Sequence, residues 1–143
     1  MTVEEYLEGE RLAKERHEYI AGRVYAMAGA SHKHNLIAGN IFVRLRQVAL
    51  ERGCLAYMSD MKLRSHEEVF YYPDVMMVCE ASKDSHYETA PLLVVEVMSE
   101  TTAQIDKRET LNSYQRLPRL MSYLLVDSGK RGFVAYHRLE SGC

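Results

Sequence analysis

The sequence has no long apolar run and no strong charge of either sign. No apolar stretch approaches the ~18 residues that a membrane span requires, and the acidic N-terminus Met1-Thr-Val-Glu-Glu is unlike a signal peptide. The formal net charge is −2, so the chain has no general basic field, and any affinity for nucleic acid has to come from a local patch. We therefore expect a cytoplasmic protein without a membrane segment.

Cysteine is scarce. Cys54, Cys79 and Cys143 are odd in number and widely spaced, and the chain has no CxxC motif and no paired Cys/His spacing. A structural zinc site is therefore not expected. Because Cys79 lies in an apolar run typical of a core strand, we expect small buried thiols in a reducing cytosol.

The composition that is present fits one globular domain. The chain has 143 residues, of which 47% are hydrophobic and 27% are charged. This is the ordinary balance for a soluble protein, and the length is enough for one substantial core. The sequence has no internal repeat, low-complexity segment or linker, so we expect a single domain over residues 1–143.

The order of predicted elements indicates an α/β fold of the α+β type, a mixed sheet flanked by helices. Helical and alternating patterns predict the following elements: a helix over 3–14, a hairpin over 17–27, a long helix over 32–51, strands over 54–58, 61–64, 69–79 and 91–99, a helix from about 101 to 117, and strands over 120–126 and 132–137. The helix between the strands at 91–99 and 120–126 makes a βαβ unit. We therefore expect these two strands to be parallel.

The long helix has clear start and stop signals. Ser31 is a good N-cap, and Gly53 is a good terminator. The residues expected to form its buried face are Ile37, Ile41, Leu45 and Val48. His32 and His34 in its first turn are expected to be exposed or capping residues, with a minor role near a substrate left open.

Two acids interrupt apolar runs. The stretch from Pro91 to Ser99 is nearly continuously apolar, as in a strand buried on both faces, yet it contains Glu96. Asp74 interrupts the run from Val69 to Cys79 in the same way. An isolated carboxylate in such a place costs several kcal/mol or more, so it needs a cation, a base or a proton. The pair predicts a metal site; the alternative is a buried acid pair that is hydrogen-bonded or shares a proton.

These acids also belong to longer motifs. Pro73-Asp74, with Glu96-Val97-Met98 on a neighbouring strand, resembles the acidic half of the PD-(D/E)XK nuclease pattern. Further motifs extend the resemblance over nearly the whole chain and in order: His17–Ser31, His34–Asn40, Ser59–Lys62, Tyr72–Asp74, Val94–Ser99, Asp106 with Tyr114, and Tyr123–Asp127. Together they resemble the Uma-two family of restriction-type endonucleases.

The resemblance implies a restriction endonuclease-like PD-(D/E)XK core with Mg²⁺ or Mn²⁺ as cofactor and DNA as partner. Asp74 and Glu96 would be the metal ligands. Glu18 would match the family's upstream acid, which completes the acidic cluster or orients the attacking water. Mg²⁺ prefers oxygen ligands and leaves coordination positions for water and phosphate, which suits this set.

The lysine of the pattern is missing. Met98 stands two positions after Glu96, and Thr110 stands where the Uma-two family usually supplies a lysine from the following helix. Threonine cannot carry the charge of an ammonium group. Lys107, three residues earlier on the same helix face, is the expected catalytic replacement, and Lys62 is the second candidate.

The sequence leaves three functions open. The first is a Mg²⁺-dependent endonuclease that hydrolyses phosphodiester bonds in DNA. The second is a catalytically degenerate protein of the same fold that binds nucleic acid or a protein partner without cleavage. The third is a metal-dependent hydrolase of another phosphate ester. Scattered basic residues are available to a nucleic-acid backbone: Arg44, Arg46, Lys107, Arg108, Arg116 and Arg119.

The C-terminus departs from the family in length. Uma-two proteins usually continue beyond the position that matches Leu139, so we expect a truncated or naturally shortened chain. A missing C-terminal element would expose apolar surface, which makes a homodimer one expected arrangement.

Overall fold

The computed structural model describes residues 1–27, 31–98, 113–127, 129 and 132–138. The helices and strands within these residues are α1 Val3–Leu12, β1 His17–Ile20, β2 Arg23–Ala26, α2 His32–Arg52, β3 Leu55–Met58, β4 Lys62–His66, β5 Val69–Tyr71, β6 Val75–Val78, β7 Tyr87–Glu88, β8 Pro91–Met98, β9 Ser122–Asp127 and β10 Gly132–His137. Most of the helix predicted over 101–117 lies outside the described residues. Neither α1 nor α2 has the length and hydropathy needed to cross a membrane.

The strands form two five-stranded sheets rather than the single sheet expected from the sequence. The first sheet has the order β2-β1-β5-β4-β7, and the second has the order β10-β9-β8-β6-β3. In the second sheet β8 and β9 are parallel, as predicted, while its other neighbouring strands are antiparallel. The prediction of a mixed α+β fold is therefore confirmed, and the prediction of one sheet is wrong.

The chain passes from the first sheet to the second at Tyr72-Pro73-Asp74. The run over 69–79, predicted as one strand, is two strands: β5 pairs in the first sheet, and β6 pairs in the second. Pro73 has no backbone N–H to donate to a ladder, which explains the interruption. Asp74 consequently lies just before β6 and not at the centre of a strand.

Helix α1 begins with a capping box. The hydroxyl of Thr2 accepts the backbone N–H of Glu5 at 3.1 Å, and the Glu5 carboxylate accepts the backbone N–H of Thr2 at 2.7 Å. Tyr6 is buried against the rings of Tyr19 and Phe70, with ring centroids 4.9 and 5.3 Å away. These contacts fix α1 on β1 and β5 of the first sheet.

Helix α2 has the predicted ends and packs on the second sheet. The Ser31 hydroxyl accepts the backbone N–H of His34 at 3.1 Å, and Gly53 ends the helix with a φ of 70°. The apolar face of α2 contacts Val75 of β6 and Val95 and Val97 of β8. The predicted inward residues Ile37, Ile41 and Leu45 take part in this cluster, whereas Val48 is 39% exposed.

The prediction of free buried thiols is wrong for two of the three cysteines. Cys54 and Cys79 form a disulfide, and Cys79 is exposed. Strands β3 and β6 are antiparallel with Leu55 opposite Val78, so the next residues outward, Cys54 and Cys79, face each other. The sequence separation of 25 residues gives no sign of this pairing.

Candidate metal centre

Asp74 and Glu96 lie side by side where β6 meets β8. The register pairs Val75 with Val95, so Asp74, one residue before β6, is opposite Glu96. The Oδ2 atom of Asp74 accepts the backbone N–H of Val97 at 2.7 Å. Two acids that are 22 positions apart in the chain are therefore brought together by the strand ladder itself.

Glu96 lies on the side of β8 that faces the first sheet. Alternation along the strand places Val95 and Val97 against α2 and leaves Glu96 on the opposite face. The hydroxyl of Tyr114, which is fully buried, donates a hydrogen bond to Glu96 Oε1 at 3.1 Å. The Glu96 carboxyl is thus hydrogen-bonded by a residue of the segment that precedes β9.

The surroundings of Glu96 favour its protonated form. Burial is the largest cause that raises its pKa well above the ordinary value of 4.5, followed by the negative charges of Asp74 and Glu18. The hydrogen bond from Tyr114 acts in the opposite direction, and a hydrogen bond with Asp74 raises the pKa further. In the absence of a cation, burial and the neighbouring charges therefore favour a proton on Glu96.

Glu18 approaches the pair from the first sheet. It lies on β1 opposite Tyr25 and is partly buried. Its negative charge contributes to the raised pKa of Glu96 and also to that of Tyr114. The structure thus places Glu18 within electrostatic range of the acids, although more than fifty residues separate it from Asp74 in the chain.

His34 is a neighbour of Asp74 that the sequence analysis treated as minor. Its Nε2 atom lies 3.3 Å from Asp74 Oδ1, and the two side chains are only 18% and 15% exposed. His34 is in the first turn of α2, so the helix contributes a side chain as well as its positive end. The sequence offered two signals, its place three residues after a strong N-cap and its place in the motif His34–Asn40, and neither shows which side chain it would contact.

The lysine candidates have different outcomes. Lys107 and Thr110 lie outside the described residues. Lys62 is 9% exposed, and its ammonium lies 5.5 Å from the centroid of the Tyr72 ring. Burial lowers the pKa of Lys62, and the charges of Glu10 and Asp84 offset part of that change. The charges and the aromatic ring that act on Lys62 are thus those of Glu10, Asp84 and Tyr72.

A separate polar network supports the crossover next to Asp74. Tyr72 donates its hydroxyl proton to Glu10, whose other carboxylate oxygen is 2.7 Å from His17 Nδ1. The side chain of Glu10 is 5% exposed. Since Glu10 is on α1 and His17 is on β1, this network links the crossover to the first sheet and thereby helps to fix the position of Asp74.

The donors near Asp74 are not arranged around an ion in this structure. Within residues 1–27, 31–98 and the described C-terminal part, no group of three or more His, Cys, Asp or Glu side chains has the geometry of a metal site. Asp74 is hydrogen-bonded to Val97, and Glu96 is hydrogen-bonded to Tyr114. The two acids therefore lie together, and their hydrogen bonds come from donors of the protein itself.

A cavity of about 890 Å³ lies beside this centre. Its wall includes Tyr114 and Tyr123, together with the polar side chains of Arg116, His137 and Arg138. Tyr114 is common to both places, because its hydroxyl also contacts Glu96. Tyr114 therefore connects the wall of the cavity to the acid pair.

The basic residues singled out in the sequence are dispersed. Arg44 and Arg46 are exposed on α2, and Arg116 is exposed near the cavity. Arg119 pairs with Glu80 at 2.9 Å, and both side chains are largely exposed. Arg108 lies outside the described residues. These positions do not form one basic surface in the described part of the chain.

The chain matches one family model over nearly its whole length and is similar to several known proteins. Residues 3–142 match the model of the Uma2, or Uma-two, family, which is described as "Putative restriction endonuclease". Two uncharacterized proteins of Synechocystis are similar: sll1609 is 36% identical over 89% of this chain and 75% of its own length, and slr1290 is 35% identical over 99% and 76%. A crystal structure of a "putative nuclease" from Anabaena variabilis superposes with a TM-score of 0.76 at 17% identity, covering 96% of this chain and 79% of that one.

Proposed function

Because the chain belongs to the Uma2 family of restriction endonuclease-like proteins, we propose that it is an endonuclease that hydrolyses DNA phosphodiester bonds with Mg²⁺ or Mn²⁺ as cofactor. The observation that carries the proposal is the meeting of Asp74 and Glu96 at the β6–β8 ladder, with the pKa of Glu96 raised. Perturbed acids that are gathered without an obvious structural need are typical of functional sites.

The residues present fit a hard divalent cation. Asp74 and Glu96 offer carboxylate oxygens, the ligands that Mg²⁺ and Mn²⁺ prefer. The mutual repulsion that raises the pKa of Glu96 would be reversed by a cation between the acids. Asp74 and Glu96 would hold the ion, and Glu18 would add a third negative charge from the first sheet.

Each protein group has a distinct task in the proposed reaction. The bound ion would supply positive charge that polarises the phosphodiester and stabilises the leaving oxyanion. The Val97 N–H and the Tyr114 hydroxyl orient the carboxylates of Asp74 and Glu96, respectively, so that little reorganisation is needed. Glu18 orients the attacking water or takes its proton.

The ammonium of Lys107 completes the proposed catalytic set of Glu18, Asp74, Glu96 and Lys107. It replaces the lysine that the family usually has at the position of Thr110. Its charge would offset the negative charge that grows on the phosphate in the transition state. We assign the whole activity to a single cytoplasmic domain over residues 1–143.

Cleavage of supercoiled plasmid DNA tests this function. The wild type should nick or linearise the plasmid with Mg²⁺ or Mn²⁺, and EDTA or the substitution Glu96→Gln should stop the reaction. Glu51→Gln changes an exposed acid on α2 and is the matched control, which should cleave normally.

The alternatives give different results in the same assay. A wild type whose melting temperature rises with metal, and which binds DNA without cutting it, would be a binding protein, as Thr110 in place of lysine favours. Hydrolysis of p-nitrophenyl phosphate without any plasmid cleavage would instead identify an enzyme for another phosphate ester.

A further inference from the structure

We propose that the cavity beside the acid pair binds one unpaired nucleotide of the DNA substrate, so that the protein prefers single-stranded to double-stranded DNA. The assignment rests on the function proposed above, since it names the form of DNA that reaches Asp74 and Glu96. Two observations support it: a row of aromatic rings joins Glu96 to the cavity, and the described part of the cavity wall carries arginines but no acid.

A row of three tyrosine rings connects Glu96 with the cavity. The hydroxyl of Tyr114 donates to Glu96 at 3.1 Å, and the Tyr114 ring lies edge-on to the Tyr123 ring, with centroids 4.9 Å apart. The Tyr123 ring is in turn stacked with the Tyr136 ring at 6.1 Å. All three tyrosines line the cavity. We therefore expect a strand whose scissile phosphate lies at the acids to have a neighbouring nucleotide at this wall.

Tyr136 gives the wall an accessible aromatic ring. It lies on β10 directly opposite Tyr123 of β9. Tyr123 is 3% exposed, whereas Tyr136 is 42% exposed. The Tyr136 ring is thus supported by a buried ring and is still open to solvent. Proteins that bind single strands stack unpaired bases on such rings, with little regard to the identity of the base.

The charges of the wall suit a phosphate. Arg116 and Arg138 line the cavity, and the described wall has no Asp or Glu, although the formal net charge of the chain is −2. Arg138 donates to the carbonyls of Gln115 at 2.8 Å and Pro118 at 3.1 Å, so its guanidinium is held in place. Arg116 is exposed, and the ion pairs between described residues use other arginines. This local excess of positive charge indicates an anionic ligand.

The size of the cavity favours one nucleotide over a length of duplex. Its volume of about 890 Å³ lies in the range of about 300–1,000 Å³ that is typical of small-molecule sites. In a duplex both faces of each base are covered by its neighbours in the stack. A base has to leave the stack before it can lie on Tyr136, and this costs least where the base is already unpaired. The preference for single-stranded DNA follows from that cost.

Fluorescence anisotropy in EDTA, with a short labelled single strand and with the duplex of the same sequence, tests the assignment. The wild type should bind the single strand more tightly. Tyr136→Leu should weaken that binding by about 5–100-fold, which corresponds to the loss of one stacked base. Tyr136→Phe keeps the ring and should keep the affinity. Arg116→Gln should weaken binding and reduce the slope of log affinity against log salt concentration by about 0.7, the value for one phosphate contact to a single strand.

Two matched variants control for general effects of substitution. Phe133→Leu changes an aromatic residue of β10 that is 70% exposed and does not line the cavity. Because Phe133 and Tyr136 are three positions apart on one strand, their side chains lie on opposite faces. Arg119→Gln changes an exposed arginine that pairs with Glu80 at 2.9 Å and is also absent from the wall. Both variants should bind the single strand as the wild type does.

Four results would overturn the assignment. An abasic single strand that binds as tightly as the normal one would show that no base enters the cavity. Equal or tighter binding of the duplex would remove the preference, and unchanged binding by both Tyr136→Leu and Arg116→Gln would remove the cavity. A free deoxynucleoside monophosphate that binds as tightly as the oligonucleotide would make a free nucleotide, rather than DNA, the ligand.

The binding assay is independent of the proposed reaction, because it needs neither metal nor cleavage. If the wild type shows the expected binding pattern but never cuts plasmid DNA, the endonuclease function is wrong and the nucleotide site remains. If the wild type cuts plasmid with Mg²⁺ while Tyr136→Leu and Arg116→Gln bind the single strand normally, only the nucleotide site is wrong.

Discussion

The carboxylate of Asp74 is tied to the backbone of β8 by the N–H of Val97, at 2.7 Å. Val97 directly follows Glu96, so this hydrogen bond holds the Asp74 carboxylate next to the position of Glu96 on β8. The raised pKa of Glu96 is the electrostatic consequence of that placement, with burial as its largest cause and Asp74 the next. A bound cation would relieve the repulsion between the negative charges of Asp74 and Glu96.

Replacing Asp74 with asparagine should separate metal binding from folding. Asparagine still has an oxygen that can accept the Val97 N–H, but it removes the charge that opposes Glu96. In EDTA the free energy of unfolding should be unchanged or higher. At a metal concentration 100 times the dissociation constant, the wild type should gain about 2.7 kcal/mol from binding, and Asp74→Asn should lose that gain.

Differential scanning fluorimetry and calorimetry with Mn²⁺ measure both effects. Asp60→Asn is the control, since the Asp60 side chain is 90% exposed and pairs with Arg16 only at 3.8 Å. This control should keep the full response to metal. An unchanged Mn²⁺ affinity in Asp74→Asn would remove Asp74 from the centre.

The meeting of the two acids could be predicted from the sequence for a simple physical reason. Apolar strands rarely contain carboxylates, so Asp74 and Glu96 stood out, and neighbouring strands bring such residues together. Pro73 was a visible signal for a break between strands. Because the residues on both sides of it are apolar, the sequence was interpreted as one strand, although β5 and β6 belong to different sheets.

The parts that escaped prediction depend on long-range packing. His34 contacts Asp74 because α2 packs on β6 and β8. No local periodicity in the sequence predicts that orientation of the helix. Likewise, the pairing of Cys54 with Cys79 follows from the register of β3 and β6, which the spacing of cysteines does not reveal. Local signals such as the Ser31 cap and the Gly53 terminator of α2, by contrast, were predicted correctly.

The stability of the metal-free protein should fall as pH rises above the ordinary glutamate value of 4.5 because of Glu96. Its pKa is raised in the folded chain, so between 4.5 and that higher value the folded state keeps a proton that the unfolded state releases. Stability therefore decreases with pH in this window. Glu96→Gln should remove this contribution, leaving the variant more stable than the wild type at neutral pH in EDTA.

Urea unfolding at a series of pH values measures this difference, with the exposed Glu51→Gln variant as reference. Other carboxylates contribute equally to wild type and variant, so only the difference between the two curves is informative. Parallel curves from pH 4 to 8 would contradict a raised pKa. Saturating Mg²⁺ should flatten the wild-type difference, because the ion takes the place of the proton.

Glu18→Gln should change the pKa of Glu96 while leaving both Asp74 and Glu96 in place. Removing the negative charge of Glu18 lowers the pKa of Glu96, so the pH dependence just described should shift to lower pH. If Glu18 also takes a proton from the attacking water, cleavage should fall by about 10²-fold or more. Glu15→Gln, which changes an exposed acid of the loop between α1 and β1, is the control and should cause neither effect.

Plasmid cleavage and urea unfolding of the Glu18→Gln variant give independent answers. A shifted pH dependence with normal cleavage would leave Glu18 as an electrostatic neighbour of the site. An unshifted dependence would show that its carboxylate has no influence on Glu96, and Glu18 would then have no part in the site.

The last prediction concerns the missing lysine, whose usual position in the family is occupied here by Thr110. If Lys107 supplies the missing ammonium, Lys107→Ala should reduce cleavage on the order of 10²–10³-fold while leaving the fold and metal affinity nearly intact, because a charge that acts mainly on the transition state contributes little to either. Thr110→Lys should recover activity in that background, since residues three apart share a face of the helix predicted from about 101 to 117. Lys83→Ala, an exposed lysine of the loop before β7, is the control. Initial rates of plasmid nicking in Mg²⁺ are measured for these four proteins and for Thr110→Lys in the wild-type background. A wild type that is inert while Thr110→Lys cleaves would mean that Lys107 does not serve, and that this chain keeps the nuclease fold and its acids but has lost the one cation that its chemistry needs.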